Sequence, residues 1–216
     1  MMISKALKCE YALNIIKKLE KHFGNAKCTL HFSSVFELLV AVILSAQCTD
    51  ERVNKITKVL FKSYKSIKDY AQADVLELER YIRTAGFFRN KAKNIIKTAQ
   101  MIIDIYNGTV PQTMKELLKF PGVGQKTANV VLGSGFGKPE GITVDTHVIR
   151  IANLLKLTNH KNPVKIETDL MKIIPKDYWI KFPIYIQTMG RKICKAKKPN
   201  HMICPLNEIC LAIKLS

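Results

Sequence analysis

The chain has 216 residues, and its 35 Lys and Arg against 17 Asp and Glu give a formal net charge of +18 at pH 7. With 47% hydrophobic residues it can bury a sizeable core, which excludes the disordered and fibrous classes. Its longest apolar run, residues 38–44, is far shorter than the roughly 20 residues that span a bilayer. We therefore expect an intracellular globular protein with no membrane partner. Its charge suits a polyanion such as nucleic acid, and a Lys-rich surface produced by biased base composition is the alternative.

Apolar residues recur at helical spacing along almost the whole chain, and no stretch shows the sustained alternation of a half-buried strand. The sequence therefore predicts an all-α fold. Capping residues, together with glycines and prolines that stop helices, divide the pattern into separate segments. The expected helix starts, in chain order, lie near Leu7, Ser34, Asp50, Asp74, Asn90, Thr113, Gln125, Val144, Asn162 and Asp177.

A stretch rich in glycine, residues 133–141, interrupts the helical pattern and also contains Pro139. We expect a loop here, because glycine and proline both disfavour the interior of a helix. The stretch is also the best candidate for a boundary between two domains.

Residues 117–128 are typical of a helix, a tight turn and a second helix. Gly122 and Gly124 allow the backbone to approach a ligand closely, and the first N–H groups of the second helix have no partner within it. Such a turn can hold a phosphate of a duplex without a charged side chain; a plain helix–helix connection is the alternative. The residues expected to contact the nucleic acid here are Pro121, Gly122, Val123, Gly124 and Gln125.

Lys126 and Asp145 are the candidate catalytic residues. Lys126 lies in the first turn of the second helix, where the positive end of the helix dipole disfavours another positive charge. An amine without its extra proton is a nucleophile, although most lysines are solvated surface charges. Asp145 precedes the next expected helix, where a simple N-cap is the alternative role.

The C-terminal segment concentrates residues that bind metals. Cys194, His201, Cys204 and Cys210 follow one another with six, two and five residues between them. A disulfide framework is not expected in an intracellular protein, and a packed core needs no such regular spacing. Three Cys and one His suit a tetrahedral zinc site, and a degenerate segment held by packing alone is a further possibility.

Several segments together resemble the endonuclease III family. Residues 117–132 resemble its helix-hairpin-helix, and residues 144–148 (Val-Asp-Thr-His-Val) resemble its catalytic-aspartate segment. Residues 44–50 (Leu-Ser-Ala-Gln-Cys-Thr-Asp) and 86–92 (Gly-Phe-Phe-Arg-Asn-Lys-Ala) are similar to two further family motifs. Residues 189–191 (Met-Gly-Arg) lead into the Cys segment, so the resemblance covers nearly the whole chain in the family's order.

The resemblance implies a two-lobed helix-hairpin-helix DNA glycosylase fold with a DNA groove between the lobes. Residues 29–141 would form the six-helix domain, and residues 1–28 with 142–216 the second helical domain with its metal-cluster tail. It also implies a bifunctional enzyme that removes oxidised pyrimidines from damaged double-stranded DNA and then nicks the strand as an AP lyase. Lys126 would form the Schiff base and Asp145 would assist. We expect a monomer in the cytoplasm or nucleoid.

By the same resemblance, Gln47 would fill the space left by the flipped-out nucleotide and Phe87 would wedge into the opposite strand. Flipping costs a few kcal/mol of unstacking, so residues that replace the lost contacts are physically required. The alternatives are an ordinary amide at a helix C-terminus for Gln47 and a core aromatic for Phe87.

The resemblance implies a 4Fe-4S cluster, but the family pattern has cysteine where this chain has His201. We expect the cluster to be held by Cys194, His201, Cys204 and Cys210, with zinc or no metal as the alternatives. Two other functions stay open at this point: a mismatch glycosylase of the same fold, which Lys126 disfavours, and a non-catalytic DNA-binding protein.

Overall fold

The structure is a computed structural model that describes residues 5–214. These residues contain helices and turns but no strand, which confirms the all-α prediction. Two 3-10 turns, Arg83–Ala85 and Lys176–Tyr178, and a π-helical segment, Val131–Gly135, supplement the α-helices. The α-helices are α1 (Lys5–Phe23), α2 (Val35–Ser45), α3 (Asp50–Ser63), α4 (Ile67–Ala71), α5 (Val75–Ile82), α6 (Phe88–Tyr106), α7 (Met114–Leu117), α8 (Gln125–Val130), α9 (Thr146–Leu154), α10 (Pro163–Ile173), α11 (Lys181–Lys192) and α12 (Leu211–Lys214).

The chain divides into two compact units. One runs from Cys28 to Lys138, and the other combines the segment up to Lys27 with the segment from Pro139 onward. Each unit has its own hydrophobic core.

The unit from Cys28 to Lys138 is built around α2. Every residue of this helix from Leu38 to Leu44 is buried, which is typical of a helix surrounded by others on all sides. α3, α6, α8 and the π-helical segment pack against it. Close approach of the π-helical segment depends on Gly135, since a Cβ there would lie 3.1 Å from Cγ1 of Val35 and 3.3 Å from Cδ2 of Leu38.

The second unit joins α1 to helices that come much later in the sequence. α1 packs against α10 and α11, and α11 also packs against α9. The hydroxyl of Tyr11 donates a hydrogen bond to the Ile209 carbonyl (3.0 Å), and Lys18 forms an ion pair with Glu208 (3.0 Å). Gly190 allows α11 to approach α9, because a Cβ at this position would lie 2.6 Å from Nδ1 of His147.

Side-chain caps confirm several predicted helix starts. Ser34, Asp74, Thr113, Asp145 and Asn162 each accept a hydrogen bond from a backbone N–H in the first turn of the helix that follows.

Two predictions about element boundaries were wrong. Asn90 is not a cap, because α6 already begins at Phe88. The glycine-rich stretch is not a loop throughout, because Val131–Gly135 continues α8 as a π-helix. Within residues 5–214, no helix is long and apolar enough to cross a membrane.

Candidate functional site

The predicted hairpin turn is present between α7 and α8. Phe120 and Val123 are buried and anchor the turn, and the N–H of Val123 donates to the Phe120 carbonyl (3.1 Å). Gly122 has a positive φ of 78°, and a Cβ there would lie 2.6 Å from Nδ2 of Asn94. This position therefore requires glycine for both its conformation and its packing.

Gly124 and Gln125 complete the turn on its exposed side. Gly124 is the N-cap of α8, no side chain caps this helix, and a Cβ on Gly124 would meet nothing within 4 Å. Pro121 is half-buried at the start of the turn, and Gly124 and Gln125 are exposed. The first N–H groups of α8 therefore have no side-chain cap and lie at an exposed turn, as a phosphate contact requires.

Lys126 is the second residue of α8 and is exposed. Ala128 and Asn129 are buried on the inner side of this helix and anchor it to the core. α8 has only six residues before it widens into the π-helical segment. Such interruptions of regular helix geometry are frequent at functional sites.

Asp145 is the N-cap of α9, as its position predicted. Its Oδ1 accepts a hydrogen bond from the N–H of Val148 (2.9 Å), and the residue is half-buried. A carboxylate has about four acceptor positions, so this single bond leaves Asp145 free to hold a second partner. Lys126 belongs to the unit from Cys28 to Lys138, and Asp145 belongs to the other unit.

Gln47 and Phe87 lie at two exposed turns of the same unit. Gln47 follows Ala46, the C-cap of α2, and has a positive φ of 53°. Phe87 is the N-cap of α6, has a positive φ of 47° and keeps 66% of its surface exposed. The alternative interpretation of Phe87 as a core aromatic is therefore wrong.

Lys91 is a residue that sequence analysis missed. Its side chain is buried, and its Nζ donates hydrogen bonds to the carbonyls of Leu44 (2.9 Å), Ala46 (2.7 Å) and Ala85 (2.8 Å). The helical period contained a signal, because Lys91 lies four residues before Ile95 and so on the buried face of α6. A lysine on an otherwise apolar stripe must have polar partners inside the fold.

The Cys segment packs against the core of its own unit, with Ile193 and Leu206 buried and the three thiols half-buried. Burial raises the pKa of the Cys204 thiol, and the nearby Cys194 and Cys210 raise it further. A guanidinium N–H of Arg150 also lies 3.5 Å from the Cys194 sulfur.

His201 is exposed. Throughout residues 5–214, no three His, Cys, Asp or Glu side chains are placed so that they could hold a metal ion. The structure therefore does not assemble the four predicted donors. The donor types themselves, thiol sulfur and imidazole nitrogen, suit iron–sulfur clusters and zinc.

Two protein-family models match this chain. Residues 40–176 match the HhH-GPD superfamily of base excision DNA repair proteins. Residues 194–210, from the first to the last predicted ligand, match the iron–sulfur binding domain of endonuclease III.

Relatives cover nearly the whole chain. Endonuclease III of Synechocystis sp. is 47% identical over 215 residues, which span 100% of this chain and 97% of the relative. Endonuclease III of Escherichia coli K12 is 38% identical, spanning 92% of this chain and 93% of the relative.

Solved structures give the same result. A trapped endonuclease III–DNA covalent intermediate is 45% identical, with a TM-score of 0.89 over 99% of both chains. A thermostable thymine-DNA glycosylase is 22% identical with a TM-score of 0.83, over 96% of this chain and 98% of that one, and shares the fold alone. The length and level of these matches show that the chain belongs to the endonuclease III family of HhH-GPD base excision DNA repair proteins.

Proposed function

We propose that this member of the endonuclease III family removes oxidised pyrimidines from double-stranded DNA and then cleaves the strand through a Schiff base on Lys126. Its general activity is that of a base excision DNA glycosylase and AP lyase. The observation that carries the specific assignment is the exposed amine of Lys126 on the helix that follows the glycine turn. A mismatch glycosylase or a non-catalytic binding protein is not favoured.

Lys126 supplies the nucleophile. In its neutral form the amine bonds to C1′ of the damaged nucleotide while the bond from C1′ to the base breaks, and the base departs with the electron pair and takes up a proton. The sugar ring then opens to an iminium ion. Loss of a 2′ proton from this ion expels the 3′ phosphate and nicks the strand. Among side chains, an amine is the group that can form such an ion.

Asp145 supplies a negative charge for this sequence. A carboxylate stabilises the developing positive charge on the sugar and on the iminium nitrogen, and it helps move a proton. The cap bond to Val148 fixes Oδ1 on the first turn of α9. Because this bond already restricts the carboxylate, the carboxylate loses less conformational entropy during the reaction.

The glycine turn and the two exposed tips would hold the DNA. The N–H groups at Gly124 and Gln125 suit a phosphate contact, which positions a duplex without reading its sequence. Gln47 would occupy the gap left by the flipped nucleotide, and Phe87 would enter the opposite strand. An exposed aromatic side chain of this size can replace part of the stacking that flipping removes.

Cys194, His201, Cys204 and Cys210 would hold a 4Fe-4S cluster. The match of residues 194–210 to an iron–sulfur binding domain supports iron over zinc, and cysteine thiolates are the usual ligands of such clusters. When bound, the cluster would cross-link the segment and hold its loop. Lys195, Lys197 and Lys198 lie in that loop and would present positive charge to a DNA backbone. We further propose that the enzyme acts as a monomer in the cytoplasm or nucleoid.

Borohydride trapping tests the assignment of Lys126. Purified protein is incubated with duplexes that contain thymine glycol or an abasic site, and the reduced Schiff base is detected as a covalent adduct. We expect adducts on both duplexes, lost in Lys126→Ala and kept in Lys115→Ala, which changes an exposed lysine on α7. Adduct formation by Lys126→Ala would show that another amine is the nucleophile.

The same assay tests the substrate class. Trapping on the abasic duplex alone would leave a lyase without the proposed base specificity. No trapping on either duplex, together with tight and salt-sensitive binding, would favour a non-catalytic DNA-binding protein.

A further inference from the structure

The two exposed tips that the proposed function assigns to DNA, Gln47 and Phe87, both have left-handed backbone conformations. Among residues 5–214, four residues other than glycine have a positive φ: Gln47, Phe87, Asn107 and Lys156. Gln47, Asn107 and Lys156 lie at or directly after helix C-caps, where a left-handed residue is common. Phe87 instead begins a helix, and a bulky residue with positive φ is rare and costs free energy. Something in the fold must hold this conformation.

The side chain of Lys91 connects the two tips. Its Nζ donates to the carbonyl of Ala46, which belongs to the peptide bond leading into Gln47. The same nitrogen donates to the carbonyl of Ala85, two residues before Phe87. Because both carbonyls contact one atom, the two backbone segments are tied to each other although 40 residues separate their tips in the sequence.

The third donor completes the set. It goes to the carbonyl of Leu44, so each of the three N–H groups of the ammonium has a backbone partner. Leu44 and Ala46 lie at the C-terminal end of α2, and Ala85 ends a 3-10 turn. Carbonyls at helix ends lack partners within the helix and attract a cation.

Burial makes this arrangement costly unless it is complete. Lys91 keeps only 5% of its surface exposed, and burial lowers its pKa, partly opposed by Cys48 nearby. If the buried ammonium lost one of its carbonyl partners, most of the free energy of desolvation would no longer be offset by hydrogen bonds. The two segments are therefore held together strongly, since separating them leaves a charge without partners.

We propose that Lys91 is a positioning residue that fixes Gln47 and Phe87 at a set separation and in their left-handed conformations before DNA binds. This inference rests on the proposed function of the two tips. Prior ordering lowers the entropy that the tips lose when they enter the duplex, so flipping becomes less costly.

Amide hydrogen exchange of the free protein tests the tie without DNA. We compare the wild type with Lys91→Met, which keeps most of the side-chain volume but removes the three donors. Lys97→Met is the matched control, because Lys97 is an exposed lysine on the same helix. We expect exchange at residues 45–48 and 85–88 to rise about tenfold or more in Lys91→Met alone, as local opening becomes easier.

Kinetics then separate positioning from general damage. A duplex containing thymine glycol requires flipping, whereas a single-stranded oligonucleotide with a preformed abasic site does not. In single-turnover assays, we expect Lys91→Met to slow base release from the duplex by about tenfold to a hundredfold. Cleavage of the single strand should stay within about twofold of the wild type, because Lys126 and its helix are unaltered.

The possible negative results distinguish failure of the positioning role of Lys91 from failure of the proposed function of the two tips. Equal losses on both substrates, or unchanged exchange at both segments, would overturn the positioning role. Normal base release by Lys91→Met, with slow release by Gln47→Ala and Phe87→Ala, would overturn it and leave the proposed function intact. Normal release by all three variants would overturn the insertion roles themselves, and with them the catalytic purpose of the tie.

A conservative variant covers the case in which Lys91→Met does not fold. Lys91→Arg retains a charged donor group on a long side chain, so it should keep the fold and exchange more slowly at both segments than any neutral variant. If exchange at both segments is slow in Lys91→Arg, its activity on the duplex should be high, and if exchange is rapid, the activity should be low. Rapid exchange at both segments with full duplex activity would contradict the proposal.

Discussion

Asp145 has a structural role as a helix cap, and the proposed function gives the same side chain a chemical role. It caps α9 through its bond to the N–H of Val148, and it is the carboxylate that the proposed reaction needs. The two roles depend on different properties. Capping requires an oxygen acceptor, which asparagine also provides, whereas stabilisation of a cation requires negative charge.

Substitutions at Asp145 should therefore separate stability from activity. Asp145→Asn is expected to leave the melting temperature nearly unchanged but to lower the rate of base release by about a hundredfold or more. Asp145→Ala should show the same loss of rate and should also lower the free energy of unfolding by about 1 kcal/mol, because the cap is lost. Thermal unfolding and single-turnover kinetics on one preparation measure both effects. A fully active Asp145→Asn would restrict this residue to capping.

His201 is the position where this chain departs from the four-cysteine pattern of its family. If its imidazole is the fourth ligand, His201→Ala should lose iron and visible absorption, while His201→Cys should keep both. The reduction potential of His201→Cys should be lower than that of the wild type, because a thiolate brings more negative charge than an imidazole. Iron analysis and protein-film voltammetry provide these measurements. Equal iron content in His201→Ala and the wild type would exclude the histidine as a ligand.

At the scale of elements, two glycines of the hairpin turn have different tasks. Gly122 is required by its positive φ and by its contact with Asn94, whereas Gly124 has an ordinary extended conformation with open space around it. The first glycine thus maintains the turn itself. The second leaves room for a ligand.

This difference predicts opposite results for two alanine substitutions. Gly122→Ala should lower the free energy of unfolding by about 1–2 kcal/mol, the cost of a left-handed alanine. Gly124→Ala should leave stability within about 0.5 kcal/mol, as for other exposed substitutions, yet weaken duplex binding, because a methyl group would stand where a phosphate approaches. Denaturant unfolding and fluorescence anisotropy with a labelled duplex test the pair. Unchanged affinity in Gly124→Ala would argue against the phosphate contact.

Sequence patterns predicted the elements well where one local rule applied. Thr113 and Asn162 cap helices because a short polar side chain before an apolar periodic segment has few other uses. The start of α6 was misplaced because Phe87 is an N-cap without any capping side chain, so no capping residue marks this helix start in the sequence. The π-helical segment was missed because Gly135 allows close packing on Val35 and Leu38 rather than forming a loop.

The candidate site was predictable to the same extent. Motif order made Lys126 and Asp145 the candidate catalytic residues, since family motifs keep their order. The contacts of Lys91 were not predicted, because the carbonyls of Leu44 and Ala46 that it binds lie more than 40 positions away in the sequence. Residue spacing alone also leaves the metal open, because similar Cys and His spacings serve iron–sulfur clusters and zinc.

At the scale of the whole molecule, the net charge of +18 should dominate binding to undamaged DNA. Neutralising phosphates releases counterions, so the affinity for an undamaged duplex should fall by about 10³-fold between 50 and 200 mM salt if about six phosphates are contacted. Anisotropy titrations at several salt concentrations give the slope. Lys126→Ala should change that slope by no more than about one unit, because it removes one charge. A flat salt dependence would assign the lysine excess to composition rather than to binding.

The separation in sequence between α1 and its partners sets an order in time. During synthesis α1 emerges first, but α10, α11 and Ile209 follow only after the entire unit from Cys28 to Lys138. That contiguous unit can fold before the apolar face of α1 has a packing partner. Until then, the exposed apolar face is a substrate for ribosome-associated chaperones. The Cys segment packs where Tyr11 contacts Ile209. Its docking site is therefore complete only after α1 and the C-terminal segment have come together. The proposed function would thus make uptake of the cluster a late step of maturation, and a shortage of iron would affect a chain whose other unit is already folded.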